Sequence, residues 1–171
     1  MKTLALESAG LPVEDAPPFL DELLEVCRRP QPATDEELLA ALRHVNVSPE
    51  EAVASAIFDV ERYSRWTLLK TDHVQVLLIG WLAGQGSAIH DHSGSLCLFR
   101  VLAGCGAELR YRIRPDGKAG RESGVELPTG EIAASRDADV HRVFNPGVAG
   151  PLVTLHVYTP PLNMNYFEEV E

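Results

Sequence analysis

The chain has 171 residues, 45% of them hydrophobic, which suits one domain with a real core and argues against disorder. Its formal net charge of −10 argues against nucleic acid and anionic membrane surfaces, because both are polyanions. The three cysteines, Cys27, Cys97 and Cys105, are an odd number without CxxC spacing, so a reducing cytoplasm is expected rather than a disulfide framework. No apolar run is long enough to span a membrane. The start carries one lysine and a brief apolar patch broken by Glu7, too weak a pattern for a secretory signal.

Residues 1–15 read as a loosely held lead-in. Three helices are expected next. After Pro17-Pro18, the apolar residues Leu20, Leu23, Leu24 and Cys27 recur at helical spacing. Arg28 and Arg29 suit the C-terminal end and Pro30 stops the helix. Thr34-Asp35-Glu36-Glu37 and Ser48-Pro49-Glu50-Glu51 are capping-box patterns that start a second and a third helix, the third running to about Val60. All three read as amphipathic padding on one side of a core.

Near Tyr63 the helical period stops and β-branched and aromatic residues take over. Strands are expected over residues 64–69, 73–81, 88–92, 96–103, 107–113, 124–127, 131–134, 140–144 and 152–158. Arg114-Pro115-Asp116-Gly117, Pro128-Thr129-Gly130 and Asn145-Pro146-Gly147 are turn signals between them. Many short strands with Gly/Pro turns predict a sandwich or barrel. No boundary separates the helices, so residues 1–171 are read as one domain, helical over about 16–60 and β over about 63–165.

The chemistry centres on residues 84–92. His90 and His92 are two apart on an extended segment, so both side chains project to one face and one ion can take both imidazoles. Asp91 points the other way. Of the four remaining histidines, His44 on a helix and His73 at a strand start read as packing or surface residues. His141 and His156 lie in late strands, and spacing leaves both open as a third ligand. Written as Gly84-x5-His90-x-His92-x4-Cys97-x6-Gly104, the stretch resembles the first cupin motif, with Cys97 where that motif carries a Glu ligand. His141-x3-Asn145 resembles the end of the second, without its Pro-x-Gly. Three imidazoles then leave open positions on the metal and no carboxylate charge, whereas structural zinc is closed by four protein ligands. Imidazole suits Fe, Zn, Ni and Cu alike. Further on, Thr154, His156 and Tyr158 alternate with Leu155 and Val157, so a hydroxyl, an imidazole and a phenol share one strand face. They form either a hydrogen-bond relay toward the site or a satisfied polar face.

Taken together, Tyr63-Ser64-Arg65, Trp81, His90-Asp91-His92, Cys97, His141-Arg142-Val143-Phe144-Asn145 and residues 154–161 resemble a thiol dioxygenase of the cysteine dioxygenase type. The resemblance implies a mainly β, cupin-type β-barrel or jelly roll with the N-terminal helical segment packed on it. It implies one Fe(II) per chain held by His90, His92 and His141, with His156 outside the ligand set. It gives Arg65 the substrate carboxylate, with Tyr63 beside it. It makes Thr154, His156 and Tyr158 the relay, Thr standing for the family's Ser. Cys97 matches a cysteine that joins this tyrosine by a thioether in some members. Cys27 and Cys105 read as structural and Trp81 as packing, and a cis bond is expected before Pro160. The implied reaction adds dioxygen to L-cysteine, giving cysteine sulfinic acid. The acidic charge favours solubility, and a monomer is expected. The rivals are a 3-mercaptopropionate dioxygenase, whose members carry Gln at the Arg65 position and lack the crosslinking cysteine, and a non-catalytic metal-binding or ligand-binding cupin.

Overall fold

The computed structural model describes residues 6–7, 16–136 and 139–170. The lead-in expected over residues 1–15 lies outside them, apart from Leu6–Glu7. A single 3-10 turn, Pro18–Leu20, opens into helix α1 (Asp21–Cys27), followed by α2 (Asp35–His44) and α3 (Pro49–Ser55). At Thr34 both bonds of the capping box form: Glu37 N–H donates to the Thr34 hydroxyl at 3.2 Å, and Thr34 N–H donates to the Glu37 carboxylate at 2.8 Å. At Ser48 the hydroxyl accepts from Glu51 N–H at 3.1 Å. Leu20, Leu23, Leu24, Leu38 and Leu42 bury the inner face of this layer.

The third helix ends at Ser55, not near Val60. Ala56 already has ψ of 151°, and residues 56–63 form neither helix nor strand. There the Ile57 carbonyl accepts from the Ser64 hydroxyl and lies against Gly80, where a Cβ would collide with it. Ile57 and Phe58 then pack on the helical core as side chains of an irregular segment. Tertiary contact overrides the cap pattern here.

The strands are β1 (Leu6–Glu7), β2 (Ser64–Lys70), β3 (Gln75–Trp81), β4 (Ile89–His90), β5 (Leu96–Ala103), β6 (Cys105–Ile113), β7 (Ala119–Pro128), β8 (Ile132–Arg136), β9 (Val140–Phe144), β10 (Leu152–Thr159) and β11 (Tyr166–Phe167). They form a six-stranded sheet in the order β1-β2-β3-β10-β5-β8 and a five-stranded sheet in the order β11-β4-β9-β6-β7. Every pairing is antiparallel except that of β1 with β2. The mainly β architecture with a helical layer on it is therefore present.

The central strands β3, β5 and β10 are buried on both faces. Val76, Leu78, Leu98, Val153, Leu155 and Val157 pack against the helices. Their alternates, Leu77, Ile79, Trp81, Cys97, Phe99 and Tyr158, pack toward the other sheet. Arg100 of β5 locks the two layers together. Its Nη1 donates to the carbonyls of Leu42, Arg43 and Val45 at 3.0, 2.9 and 2.7 Å, satisfying the C-terminal end of α2. Gly117 takes φ of +80° in the turn between β6 and β7. Strand β7 starts at Ala119, five residues earlier than its sequence predicts.

Candidate metal centre

His90 and His141 are direct cross-strand partners on β4 and β9, and His92 follows in the bend after β4. All three are buried, and each offers a ring nitrogen within 4.8 Å of the others. His92 Nε2 and His141 Nε2 approach to 3.3 Å. His90 Nδ1 lies 2.9 Å from the Ala88 carbonyl, which only accepts, so that nitrogen carries the proton and Nε2 is bare. His141 Nδ1 lies 2.6 Å from Glu108 Oε1, which fixes the same tautomer. Burial, then His141 nearby, pushes His90 down to about 3, and the same causes push His92 down to about 4. Buried imidazoles with ring nitrogens turned toward each other are the donor set of an imidazole-favouring transition metal. His156 is not among them, because both of its nitrogens face partners on its own strand.

The three rings floor a cavity of about 370 Å³ between the sheets. Arg65, Tyr63, Trp81, Cys97 and Tyr158 line it. Tyr63 stacks on Trp81 with centroids 4.3 Å apart. The Arg65 guanidinium adds positive potential here: after burial, it is the next cause holding His156 well below the usual histidine range. On β10, His156 Nε2 lies 2.9 Å from the Thr154 hydroxyl and His156 Nδ1 lies 3.1 Å from the Tyr158 hydroxyl. Phe99 stacks on the His156 ring, with centroids 4.8 Å apart, and fixes its plane. Trp81 does more than pack: its Nε1–H donates to Thr154 Oγ at 2.9 Å. Cys97 and Tyr158 are register partners on β5 and β10, and Cys97 Sγ lies 3.8 Å from His156 Nδ1. Burial pushes the Cys97 thiol up to about 12.

The family profile described as Cysteine dioxygenase type I matches residues 15–169. The chain belongs to the cysteine dioxygenase type I family. The rat and human proteins named cysteine dioxygenase type 1 are each 32% identical to it over 133 residues, 75% of this chain and 66% of theirs. The match thus spans just under two thirds of those relatives' length. Among solved structures, a Bacillus halodurans protein is similar with a TM-score of 0.55 and 21% identity, over 84% of this chain and 92% of that one. A Klebsiella pneumoniae protein with a double-stranded β-helix domain has a TM-score of 0.55 and 20% identity, over 69% and 89% of the two chains. These likenesses show the fold: a cupin-type double-stranded β-helix.

Within this family member, two features have no sequence motif. The first is Glu108, a carboxylate behind His141 and outside the three-histidine ligand set. It is buried on β6, with one oxygen on His141 and the other accepting from Arg110 Nε at 3.2 Å. Burial opposes its ionisation, yet the His141 hydrogen bond and charge, with Arg110, outweigh burial and hold its carboxyl below the usual range. The second is the C-terminal strap. Asp91 does turn away from the histidines, and there its carboxylate accepts from Asn165 N–H at 3.0 Å and from the Asn165 side chain at 3.1 Å. That anchor lets β11 pair Tyr166 with His90 and brings Met164 and Tyr166 to the cavity wall. Asn145 is a turn residue: its side chain bonds the Trp81 and Gly150 carbonyls and Gly147 N–H. The Thr159–Pro160 bond is cis.

Proposed function

We propose that this chain is an Fe(II)-dependent thiol dioxygenase whose substrate is L-cysteine, working as one catalytic domain with one iron per chain. The observation that carries the reading is three buried, converging histidines beneath a cavity that also holds a guanidinium and a buried phenol. His90, His92 and His141 would hold the iron, which when bound would lower the pKa of a coordinated thiol and take up dioxygen beside it.

The chain's own groups do the rest. Arg65 recognises the substrate carboxylate through a planar bidentate fork, and Tyr63, braced on Trp81, walls that end. Tyr158 hydrogen-bonds to the reacting atoms, oriented by His156 and Thr154. Fixing the sulfur between these groups replaces a bimolecular search by proximity. Both oxygen atoms of one dioxygen end on sulfur, so the thiol is oxidised to the sulfinic acid and no other reductant is required. The adjacency of Cys97 and Tyr158 supports a thioether between the Cys97 sulfur and the Tyr158 ring, with dioxygen as the oxidant that takes up the two hydrogens lost. Peptide mapping after turnover should find the two residues in one linked peptide. The three free cysteines are in keeping with a reducing cytoplasm, and a monomer is the assembly proposed. Among the described residues, no helix is long and apolar enough to cross a membrane.

The test is oxygen uptake by the Fe(II)-loaded protein with L-cysteine and with 3-mercaptopropionate. Uptake should favour L-cysteine, and Arg65→Ala should raise its KM by about 10-fold or more, the value of a lost charge-assisted hydrogen bond. Preference for 3-mercaptopropionate would reject the substrate assignment. Absence of uptake with either thiol would favour a binding protein.

A further inference from the structure

The Thr154 hydroxyl sits fully buried between two ring nitrogens and has one hydrogen to give. On one side Trp81 Nε1–H donates to it at 2.9 Å, and an indole N–H cannot accept in return. On the other side lies His156 Nε2, also at 2.9 Å. Among the described residues this hydroxyl has no third hydrogen-bond partner. If Nε2 carried a proton, both neighbours would donate to the Thr154 oxygen, and the buried O–H would have no acceptor. Such an orphan is costly where the dielectric is low. If Nε2 is bare, the hydroxyl donates to it and every group is satisfied. The His156 imidazole, kept neutral by burial and by Arg65, then carries its proton on Nδ1.

We propose that Trp81 is a positioning residue that sets the direction of the whole relay. The hydrogen bonds run from Trp81 Nε1–H to Thr154, from the Thr154 hydroxyl to His156 Nε2, and from His156 Nδ1–H to Tyr158 Oη. The Tyr158 O–H is thereby released from His156 and can turn between the cavity and the Cys97 sulfur, its neighbouring hydrogen-bond partner. The reverse direction would spend the phenol proton on His156 and present only lone pairs to the cavity. A free O–H serves an anionic sulfur or oxygen, and lone pairs would repel it. Burial, with the neighbouring Cys97, holds the Tyr158 phenol well above its ordinary range, so the hydroxyl keeps its proton. The direction of the bonds stands on hydrogen-bond accounting alone. Its use, donation to a substrate atom, rests on the dioxygenase reading.

The test is the His156 tautomer in metal-free protein labelled with 15N-histidine, read from long-range proton–nitrogen correlations and assigned with His156→Gln. The expected result at neutral pH is a protonated Nδ1 and an unprotonated Nε2. An Nε2-protonated ring would overturn the proposal. This measurement needs no variant at Trp81. Trp81→Phe supplies a second reading, with its fold checked by near-ultraviolet circular dichroism. Removing the indole N–H opens Thr154 to water from the cavity, so its hydroxyl gains another acceptor and the Nε2–H tautomer should appear. A folded Trp81→Phe protein with an unchanged tautomer would remove Trp81 from the role. Loss of oxygen uptake alone would count against the dioxygenase reading and leave the tautomer assignment standing, so the two fail separately.

Discussion

At the scale of residues, the three histidines are not equivalent. His90 leans on a backbone carbonyl, His141 on an ionised carboxylate, and His92 Nδ1 has no hydrogen-bond partner among the described residues. Glu108 makes His141 the most electron-rich of the three and returns, one hydrogen bond away, the negative charge that Cys97 withholds from the usual cupin ligand position. Glu108→Gln keeps an oxygen that can accept from His141 Nδ1–H and removes the charge. It should weaken metal binding by about 10–100-fold with the fold intact, read by chelator competition. Affinity equal to that of the parent would show that Glu108 serves packing alone.

At the scale of elements, the site depends on how closely β9 can lie against the segment before β4. Gly86 forms an isolated bridge with Phe144, and a Cβ at Gly86 would stand 2.6 Å from the Phe144 Cβ. Gly86→Ala should therefore push β9, and His141 with it, away from His90. The expected cost is about 1–3 kcal/mol in urea unfolding, with weaker metal retention. Unchanged stability would mean that β9 shifts freely. The elements also show what the sequence could and could not reveal. β10 was legible because Thr154, His156 and Tyr158 alternate with Leu155 and Val157, and a period of two places them on one face. β5 and β9 begin and end where their apolar runs do. The sequence carries α3 on to about Val60 because nothing local announces that Ile57 must lie against Gly80. The sequence shows only the end of β7, because its solvent-exposed residues carry no apolar alternation and its start is set by pairing with β6. β11 is two residues long and exists because Asp91 holds Asn165. Glu108 was invisible for the same reason. An acidic residue between Ala107 and Leu109 reads as an ordinary strand position until β6 is laid beside β9.

At the scale of the molecule, the helical layer and the second sheet enclose the central strands from both sides, and the buried relay couples the site to overall stability. His156 is neutral in the fold, its pKa held well below the ordinary 6.5 by burial and then by Arg65, but it protonates in the unfolded chain. The unfolded state therefore binds more protons once the pH falls below about 6.5, and stability falls with it. Metal-free protein should lose stability between about pH 6.5 and 5, and His156→Gln should show a shallower slope over that window, measured by urea unfolding. Equal slopes would place the His156 titration outside the folding equilibrium. The central claim, that this cavity delivers both atoms of one dioxygen to the sulfur of L-cysteine, is tested most directly by isotope labelling. Fe(II)-loaded protein is given L-cysteine under 18O2, and the product is weighed by mass spectrometry. A sulfinic acid carrying two heavy oxygens is predicted. Cystine, or a sulfinic acid with one heavy oxygen or none, would contradict it.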